Sequence, residues 1–262
     1  MLQGTGQWLL SDPIFKRWKK ESVSSILWLH GIPGSGKSKL VWVKDRYEGT
    51  TKTNSYNRSI VIEDAQKAFY DGQSPPPAFF YCSRNTAEPM RSNPDSIVAS
   101  IARQLSNLEP EHPLLPPVVA AYTKREKEGF ASGSLDIEES RALILQLVEQ
   151  YQLTTIVIDA LDECDPERRA DLLESLEEIL QESTSLVKIF VSSRDDQDIV
   201  LHLRHYPNLE LSSDKNKDDI TSFVRAETHD LIRRRKLLKY SSNKENLKAE
   251  IIKQVTKGAD GM

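Results

Sequence analysis

Cysteine is scarce in this sequence, and the scarcity excludes one class of protein. Among 262 residues only Cys82 and Cys164 are cysteines, and each lies beside an apolar run. Small secreted domains that depend on disulfides carry several cysteines in a much shorter chain. We therefore expect two buried thiols in a reducing compartment, the cytoplasm, and no disulfide framework.

Long apolar runs and a strong charge of either sign are also missing. No apolar stretch approaches the roughly 20 residues that span a bilayer, and residues 1–10 lack the basic start and apolar stretch of a secretory leader. The net charge of -4 gives no general reason to expect nucleic acid. The basic run at 233–236 falls in a helical pattern, where such a run is usually a solvated face. We expect neither a membrane nor a nucleic acid as a partner.

What the chain does contain is an alternation of apolar runs with helical patterns. The apolar runs are continuous, as in buried parallel strands, and lie at 26–29, 78–82, 154–158, 187–191 and 209–211. Helical patterns begin at residue 37 and cover 95–105, 137–151 and 166–180, the last with Asp165 predicted as N-cap and Pro166 at the first helical position. The order predicts an α/β fold of three layers with a mainly parallel five-stranded sheet.

Three regions are predicted along the chain. Residues 1–24 precede a glycine-rich loop, residues 25–212 form the α/β core, and residues 213–262 form a helical extension that begins a helical subdomain, with helices expected at 218–238 and 245–255. Residues 47–77 are polar and end in three prolines, so they predict a surface excursion with a short helix at 62–70. The sequence contains no internal repeat.

The strongest motif is Gly-Ile-Pro-Gly-Ser-Gly-Lys-Ser at 31–38, which fits G-x-x-x-x-G-K-[ST] between an apolar strand and a helix. Backbone N–H groups of such a loop surround phosphates at a helix N-terminus. Lys37 would reach the β- and γ-phosphates, and the Ser38 hydroxyl would ligate Mg²⁺. The predicted phosphate-binding residues are Gly31, Ile32, Pro33, Gly34, Ser35, Gly36, Lys37, Ser38 and Lys39.

Charged residues follow two other predicted strands. Asp159 stands at the carboxyl end of the strand at 154–158, where ligands bind in open α/β sheets, and is predicted to hold Mg²⁺ through water. Asp162 and Glu163 lie just beyond and are candidates to polarise an attacking water. Arg194 follows the strand at 187–191, where a cation can reach the terminal phosphate and report its presence. With Lys37, these four residues form the predicted catalytic set.

Taken together, these segments resemble a known family. Trp-Leu-His-Gly-Ile-Pro-Gly-Ser-Gly-Lys-Ser at 28–38, Asp-Ala-Leu-Asp-Glu-Cys at 159–164 and Ser-Ser-Arg at 192–194 are similar to the NACHT domain of fungal NOD-like receptors, which are STAND P-loop NTPases. Segments 4–10, 79–82 and 257–262 are also similar, so the resemblance covers nearly the whole chain. The family often has glycine where this chain has Ala160, which is a small replacement.

The resemblance implies a slow nucleoside triphosphatase that works as an oligomerisation switch, off with a diphosphate and on with a triphosphate. Such a switch joins an N-terminal effector to C-terminal repeats in innate immunity or self/non-self recognition. We expect both of those regions, and the winged-helix part that contributes a histidine to the diphosphate state, to lie outside these 262 residues. The implied cofactors are Mg²⁺ with ATP or ADP. GTP and GDP stay open, although the lack of an Asn-Lys-x-Asp pattern favours adenine.

Some assignments stay open at the level of sequence. Residues ahead of the phosphate loop often line the base pocket in this family, which makes Thr5, Gly6 and Trp8 candidates for base contacts. Alternatively, Trp8 and Trp18 simply pack a short helix on the sheet. Two other functions use the same loop: a small-molecule kinase, which needs an acceptor pocket, and a scaffold that binds nucleotide without turnover.

Overall fold

The computed structural model describes residues 6–32, 37, 43–44, 57–58, 60–71, 76–106, 113–129, 133–241 and 243–258. Its strands are β1 (Ser25–His30), β2 (Val43–Lys44), β3 (Asn57–Arg58), β4 (Ala78–Tyr81), β5 (Leu153–Asp159), β6 (Leu186–Ser193) and β7 (Asn208–Glu210). Five of them form one sheet in the order β4-β5-β6-β1-β7, and every neighbouring pair is parallel. The short β2 and β3 pair with each other in an antiparallel ladder.

The described helices surround this sheet. They are α1 (Gln7–Ser11), α2 (Pro13–Lys20), α3 (Ile60–Tyr70), α4 (Pro94–Ser106), α5 (Pro116–Lys127), α6 (Ile137–Val148), α7 (Arg169–Glu182), α8 (Gln197–Leu203), α9 (Ser213–Arg233) and α10 (Lys244–Gly258). Two short 3₁₀ turns lie at Pro89–Arg91 and Leu161–Glu163. None of the helices in these ranges combines the length and the apolarity that crossing a membrane requires.

Apolar side chains cover both faces of the sheet, because successive residues of a strand point to opposite sides. Ile26 and Trp28 of β1 belong to a core shared with α4, α6, α7 and α8. Leu27 and Leu29 belong to a second core shared with α1, α2 and α3. Helices on both sides of a parallel sheet make three layers, which confirms the predicted fold class.

All five predicted strands are confirmed, and β5 and β6 run one or two residues further at each end. The start of α7 was predicted wrongly. This helix begins at Arg169 and not at Pro166. The Asp165 carboxylate accepts the N–H of Glu167 at 3.1 Å, and the Asp165 carbonyl accepts the N–H of Arg168 at 3.1 Å, so a separate turn precedes the helix. The helix predicted from residue 37 lies, apart from Lys37, outside the described residues.

The N-terminal helices are part of the second core. Asp12 caps α2 by accepting the N–H of Ile14 at 2.8 Å, with Pro13 at the first helical position. Phe15 and Trp18 are buried, and the Trp18 indole N–H donates to the Ser25 carbonyl at 3.1 Å. The structure therefore shows Trp18 packing a short helix on the sheet. This agrees with the second interpretation of the N-terminal tryptophans in the sequence analysis.

One long side chain of β6 reaches this N-terminal segment. The Lys188 ammonium donates to the Val23 carbonyl at 2.7 Å and lies 5.8 Å from the centre of the Trp18 ring. Lys188 is almost fully buried, and that burial lowers its pKa. Because Lys188 stands near the start of β6, the contact joins the amino end of this strand to the segment that precedes β1.

The helical extension contacts the first residues described. Asp219 of α9 accepts the N–H of Gly6 at 2.8 Å, and Lys215 lies 3.5 Å from the Asp12 carboxylate. The helices α9 and α10 pack on each other. In the basic run, Arg233 and Arg234 both pair with Asp230, at 2.6 and 2.7 Å, so part of the charge of this run is balanced at the end of the helix. The division of the chain at residue 213 stays a prediction.

Both cysteines are free and buried, in agreement with the sequence analysis. Burial raises the pKa of the Cys82 thiol well above its usual value and raises that of Cys164 to about 11. The N–H of Cys82 donates to the Asp159 carbonyl at 2.9 Å, and the Cys164 thiol donates to the Ser92 carbonyl at 3.3 Å. Both thiols therefore belong to the first core, near the acidic end of β5, as inert groups.

Candidate functional site

The predicted site residues meet at one edge of the sheet. In parallel strands all carboxyl ends point the same way, and here β6 pairs with β1 on one side and β5 on the other. The loop after β1, the acids after β5 and the arginine after β6 therefore leave neighbouring strands at the same edge. Ligands bind at this edge in open α/β sheets. The position predicted for Arg194, after the strand beside the phosphate-loop strand, is confirmed.

Gly31 begins the phosphate loop in a backbone conformation that favours glycine, with φ of 148°. A Cβ atom placed there would lie 3.0 Å from the Leu211 carbonyl oxygen. The approach is close because the N–H of Leu211 donates to the His30 carbonyl at 2.7 Å. Ile32 and Lys37 are also described. The other predicted phosphate-binding residues, Pro33, Gly34, Ser35, Gly36, Ser38 and Lys39, lie outside the described residues, as does Thr5.

Lys37 is a buried cation turned toward its own loop. Its side chain is 8% exposed, and its ammonium donates to the Ile32 carbonyl at 2.9 Å and to the Gly31 carbonyl. Burial lowers the pKa of Lys37, while the negative charges of Asp162 and Asp195 act in the opposite direction. The lysine therefore lies within electrostatic reach of the acids that follow β5 and β6.

Asp159 ends β5 and is 3% exposed. The Ser192 hydroxyl donates to its Oδ1 atom and accepts the N–H of Ala160 at 3.1 Å, which fixes the carboxylate between two strands. Burial raises the pKa of Asp159 to about 6, while the hydrogen bond from Ser192 and the charge of Lys37 oppose the rise. A buried carboxylate whose charge is disfavoured gains from a nearby cation. Oxygen ligands of this kind suit Mg²⁺, so the residue fits the predicted magnesium role.

Asp162 and Arg194 form an ion pair at the same edge. The Oδ2 atom of Asp162 lies 3.0 Å from Nε of Arg194, and its Oδ1 atom accepts the backbone N–H of Arg194 at 3.1 Å. The Asp162 side chain is 8% exposed, whereas that of Arg194 is 50% exposed. Both residues belong to the predicted catalytic set, and their contact was not foreseen from the sequence.

Glu163 lies at the rim of the site, beyond Asp162 in the same 3₁₀ turn. Its Oε2 atom accepts the backbone N–H of Arg84 at 3.0 Å, and the Arg84 guanidinium donates to the Asp162 carbonyl. Arg84 follows β4, the strand beside β5. Nothing in the sequence singled it out, because Ser-Arg-Asn after a strand has the composition of any polar loop.

A second arginine that the sequence analysis missed is Arg169, which is 3% exposed. Its guanidinium binds both carboxylate oxygens of Asp198, at 2.8 and 3.0 Å, and lies 3.1 Å from Asp196. It also donates to the Asp162 carbonyl at 2.9 Å. Arg169 therefore ties the acidic turn after β5 to the loop after β6. An arginine in a run of charged residues carries no sequence signal of burial.

The candidate base-contacting residues lie against the helical extension. The N–H of Gly6 donates to Asp219, and the Trp8 ring centre is 6.0 Å from the Lys215 ammonium. Burial raises the pKa of Asp219, partly offset by its hydrogen bond from Gly6. Trp8 is half-buried and packs on the second core. Base contact by Gly6 and Trp8 stays a prediction.

Comparisons with known proteins fit this arrangement. A family model described as Nephrocystin 3, N-terminal matches residues 4–194. Vegetative incompatibility protein HET-E-1 of Podospora anserina is 26% identical over 230 residues, and the match covers 86% of this chain and 15% of that protein. The chain thus spans a small part of this relative.

Two solved structures are distantly similar in fold. Cdc6p from Pyrobaculum aerophilum has 15% identity and a TM-score of 0.42, over 83% of this chain and 48% of its own. A DNA replication initiation factor has 13% identity and a TM-score of 0.37, over 98% of this chain and 63% of its own. Neither likeness is close enough to inform on the site.

The family match extends from ahead of the phosphate loop to Arg194, so it includes the glycine-rich loop, the acids after β5 and the arginine after β6. Together with the fungal relative, it confirms the resemblance to the NACHT domain of fungal NOD-like receptors. Because the model covers well over half of the sequence, the chain belongs to the family described as Nephrocystin 3, N-terminal.

Proposed function

We propose that this chain is a nucleoside-triphosphate-binding and slowly hydrolysing switch domain of a NOD-like (STAND) receptor, with ATP favoured over GTP. The observation that carries the proposal is the meeting of Lys37, Asp159, Asp162 and Arg194 at the carboxyl ends of three adjacent strands. Two cations and two acids at one edge suit a magnesium-bound polyphosphate. Lys37 would bind the β- and γ-phosphates, and Asp159 would hold the ion through water.

Hydrolysis would be a phosphoryl transfer to water. Bound Mg²⁺ would neutralise the charge that develops on the phosphate oxygens. Glu163 is our candidate for the general base, because its carboxylate lies at the rim and one oxygen is fixed by the N–H of Arg84. The carboxylate would take the proton of the attacking water. Asp159 is unsuited to that step, since its carboxylate is buried and already accepts the Ser192 hydroxyl.

The switch would act through the terminal phosphate. Arg194 is the cation best placed to recognise it, because its side chain leaves the strand next to the phosphate-loop strand and is half exposed. A triphosphate would favour oligomerisation and a diphosphate would oppose it. In keeping with the name of the relative in Podospora anserina, we propose a cytoplasmic role in self/non-self recognition or innate immunity, with effector and repeat regions beyond this chain.

The test of this proposal is Arg194→Ala. A charge-assisted contact contributes about 1.5 to 3 kcal/mol, so the variant should bind a non-hydrolysable triphosphate about 10- to 150-fold more weakly. Its affinity for the diphosphate should stay nearly constant, because the diphosphate lacks the group. Arg204→Ala, at an exposed arginine of the same region, is the matched control for lost charge. Equal losses for both nucleotides, or none for either, would remove the sensor role.

Two measurements separate the alternative functions. Phosphate release in the absence of an acceptor distinguishes this switch from a small-molecule kinase. A single-turnover assay distinguishes it from a scaffold, which would leave a bound triphosphate intact for days. Mass spectrometry of nucleotide released from the denatured protein identifies the base directly, and guanine there would contradict the preference for ATP.

A further inference from the structure

We propose that Asp162 is a positioning residue for Arg194, holding the guanidinium so that its two terminal amino groups face the terminal phosphate of a bound triphosphate. The inference rests on the proposed function, in which Arg194 senses that phosphate. It assigns Asp162 a role different from the water-polarising one expected from the sequence. Triphosphate recognition would then depend on an acid that itself makes no contact with the nucleotide.

The first support is how one carboxylate contacts the arginine at two points. One oxygen accepts the backbone N–H of Arg194 at 3.1 Å, and the other lies 3.0 Å from its Nε atom. The first contact fixes the carboxylate against the backbone of Arg194, and the second then restricts the rotamers of the arginine side chain up to its Nε atom. The terminal Nη1 and Nη2 atoms have no acceptor among the residues that the structure describes. These two atoms form the planar fork that suits a phosphate.

The second support is that Asp162 is itself held firmly. Its backbone carbonyl accepts a hydrogen bond from buried Arg169 at 2.9 Å and another from Arg84. Arg169 also binds Asp196 and Asp198, which follow Arg194 in the chain. The acid and the loop that carries the arginine are therefore fixed to the same buried guanidinium. An anchor that moved freely could not orient a half-exposed side chain.

The opposing effect is repulsion between the Asp162 carboxylate and a terminal phosphate. Two facts indicate that this repulsion is not the larger effect. The charge of the acid is already balanced by Arg194 at 3.0 Å, so the pair as a whole is neutral. A long, half-exposed arginine loses much rotamer freedom when a ligand fixes it, and a prior contact with Asp162 places that loss in the folding of the protein. We therefore expect the acid to favour triphosphate binding.

The experiment measures the ratio of triphosphate to diphosphate affinity by calorimetry, with a non-hydrolysable triphosphate, in Asp162→Asn. The amide oxygen of asparagine can still accept the N–H of Arg194, but its NH₂ group is a donor and cannot hold Nε. The ratio should fall about 5- to 10-fold. In protein that already carries Arg194→Ala, the same substitution should leave the ratio unchanged, because there is no guanidinium to orient.

Two further variants complete the test. Asp165→Asn removes an equal charge from the neighbouring turn, where the carboxylate contacts the N–H of Glu167, and should leave the ratio unchanged. Asp162→Glu keeps the charge but displaces it by one methylene, so it should lower the ratio, whereas a purely electrostatic role would preserve it. Thermal melting checks that each variant is folded.

The possible failures are distinguishable. An unchanged or higher ratio in Asp162→Asn, or a fall that persists without Arg194, overturns the positioning role and leaves the proposed switch intact. If Arg194→Ala alone leaves the ratio unchanged, both the sensor and its positioning residue are overturned. A fall in the ratio that requires Arg194 supports both.

Discussion

At the scale of single residues, Asp159 shows how a binding site opposes the stability of the fold. Burial raises the pKa of Asp159 to about 6 from an ordinary 3.8. Between these values the folded protein keeps a proton that the unfolded chain has lost, so this residue makes the free energy of unfolding fall as pH rises. The contribution levels off above the folded-state pKa. Asp159 therefore destabilises the fold most above its folded-state pKa, which is where its carboxylate carries the charge that Mg²⁺ binding would need.

Asp159→Asn tests this directly, with Mg²⁺ and nucleotide removed. The asparagine oxygen can still accept the Ser192 hydroxyl, but it carries no charge to bury. The variant should match the wild type at about pH 4 and exceed its free energy of unfolding by up to about 3 kcal/mol at pH 7. Urea denaturation at both pH values measures this difference in stability. In a separate binding assay with Mg²⁺ present, the variant should bind nucleotide more weakly than the wild type. A variant less stable than wild type at pH 7 would contradict the argument.

Glu163→Gln addresses catalysis at the same scale. Glutamine keeps an oxygen for the N–H of Arg84 but cannot take a proton from water. Hydrolysis should slow by about 10²-fold or more, while nucleotide affinity stays within about tenfold. Single-turnover phosphate release measures the rate, and Glu167→Gln in the following turn is the control. Hydrolysis at the wild-type rate would mean that another group is the base.

At the scale of elements, the junction between β1 and its loop depends on one glycine. Gly31→Ala would force a side chain into a backbone with φ of 148° and against the Leu211 carbonyl at 3.0 Å. We expect the free energy of unfolding to fall by about 2 to 4 kcal/mol. Gly129→Ala is a matched control, because Gly129 has φ of 81° with nothing within 4 Å, and should lose about 1 kcal/mol. Equal losses in urea denaturation would show that the contact with Leu211 is unimportant.

The elements also show what sequence patterns can and cannot predict. Each strand of the main sheet was found from its apolar run, and this placed Asp159 and Arg194 at the carboxyl ends of neighbouring strands, as the structure shows. The helix α5 was missed because it buries none of its side chains fully, so its apolar residues form only a weak helical pattern. The start of α7 was misplaced because Asp165 and Pro166 suit a turn as well as a helix. Arg84 and Arg169 were missed because their partners are distant in sequence.

At the scale of the whole molecule, the segment ahead of the phosphate loop is part of the folded core. Phe15 is 2% exposed and packs on Trp18 with ring centres 5.6 Å apart. Phe15→Ala should lower the free energy of unfolding by about 3 to 5 kcal/mol, in a single urea transition. Lys16→Ala, at an exposed position of the same helix, should change it by less than about 0.5 kcal/mol. Two separate transitions would show that the segment folds independently of the sheet.

The position of β6 has a mechanical consequence. This strand is eight residues long, or about 26 Å at 3.3 Å per residue. Its carboxyl end leads into Arg194, and near its amino end Lys188 holds the Val23 carbonyl and the Trp18 ring. Hydrogen-bonded strands on both sides make β6 stiff along its axis. If Arg194 moved along the axis of β6, the strand would thus move as a rigid unit. The displacement would reach Lys188 and its contacts at the opposite edge of the sheet almost unchanged.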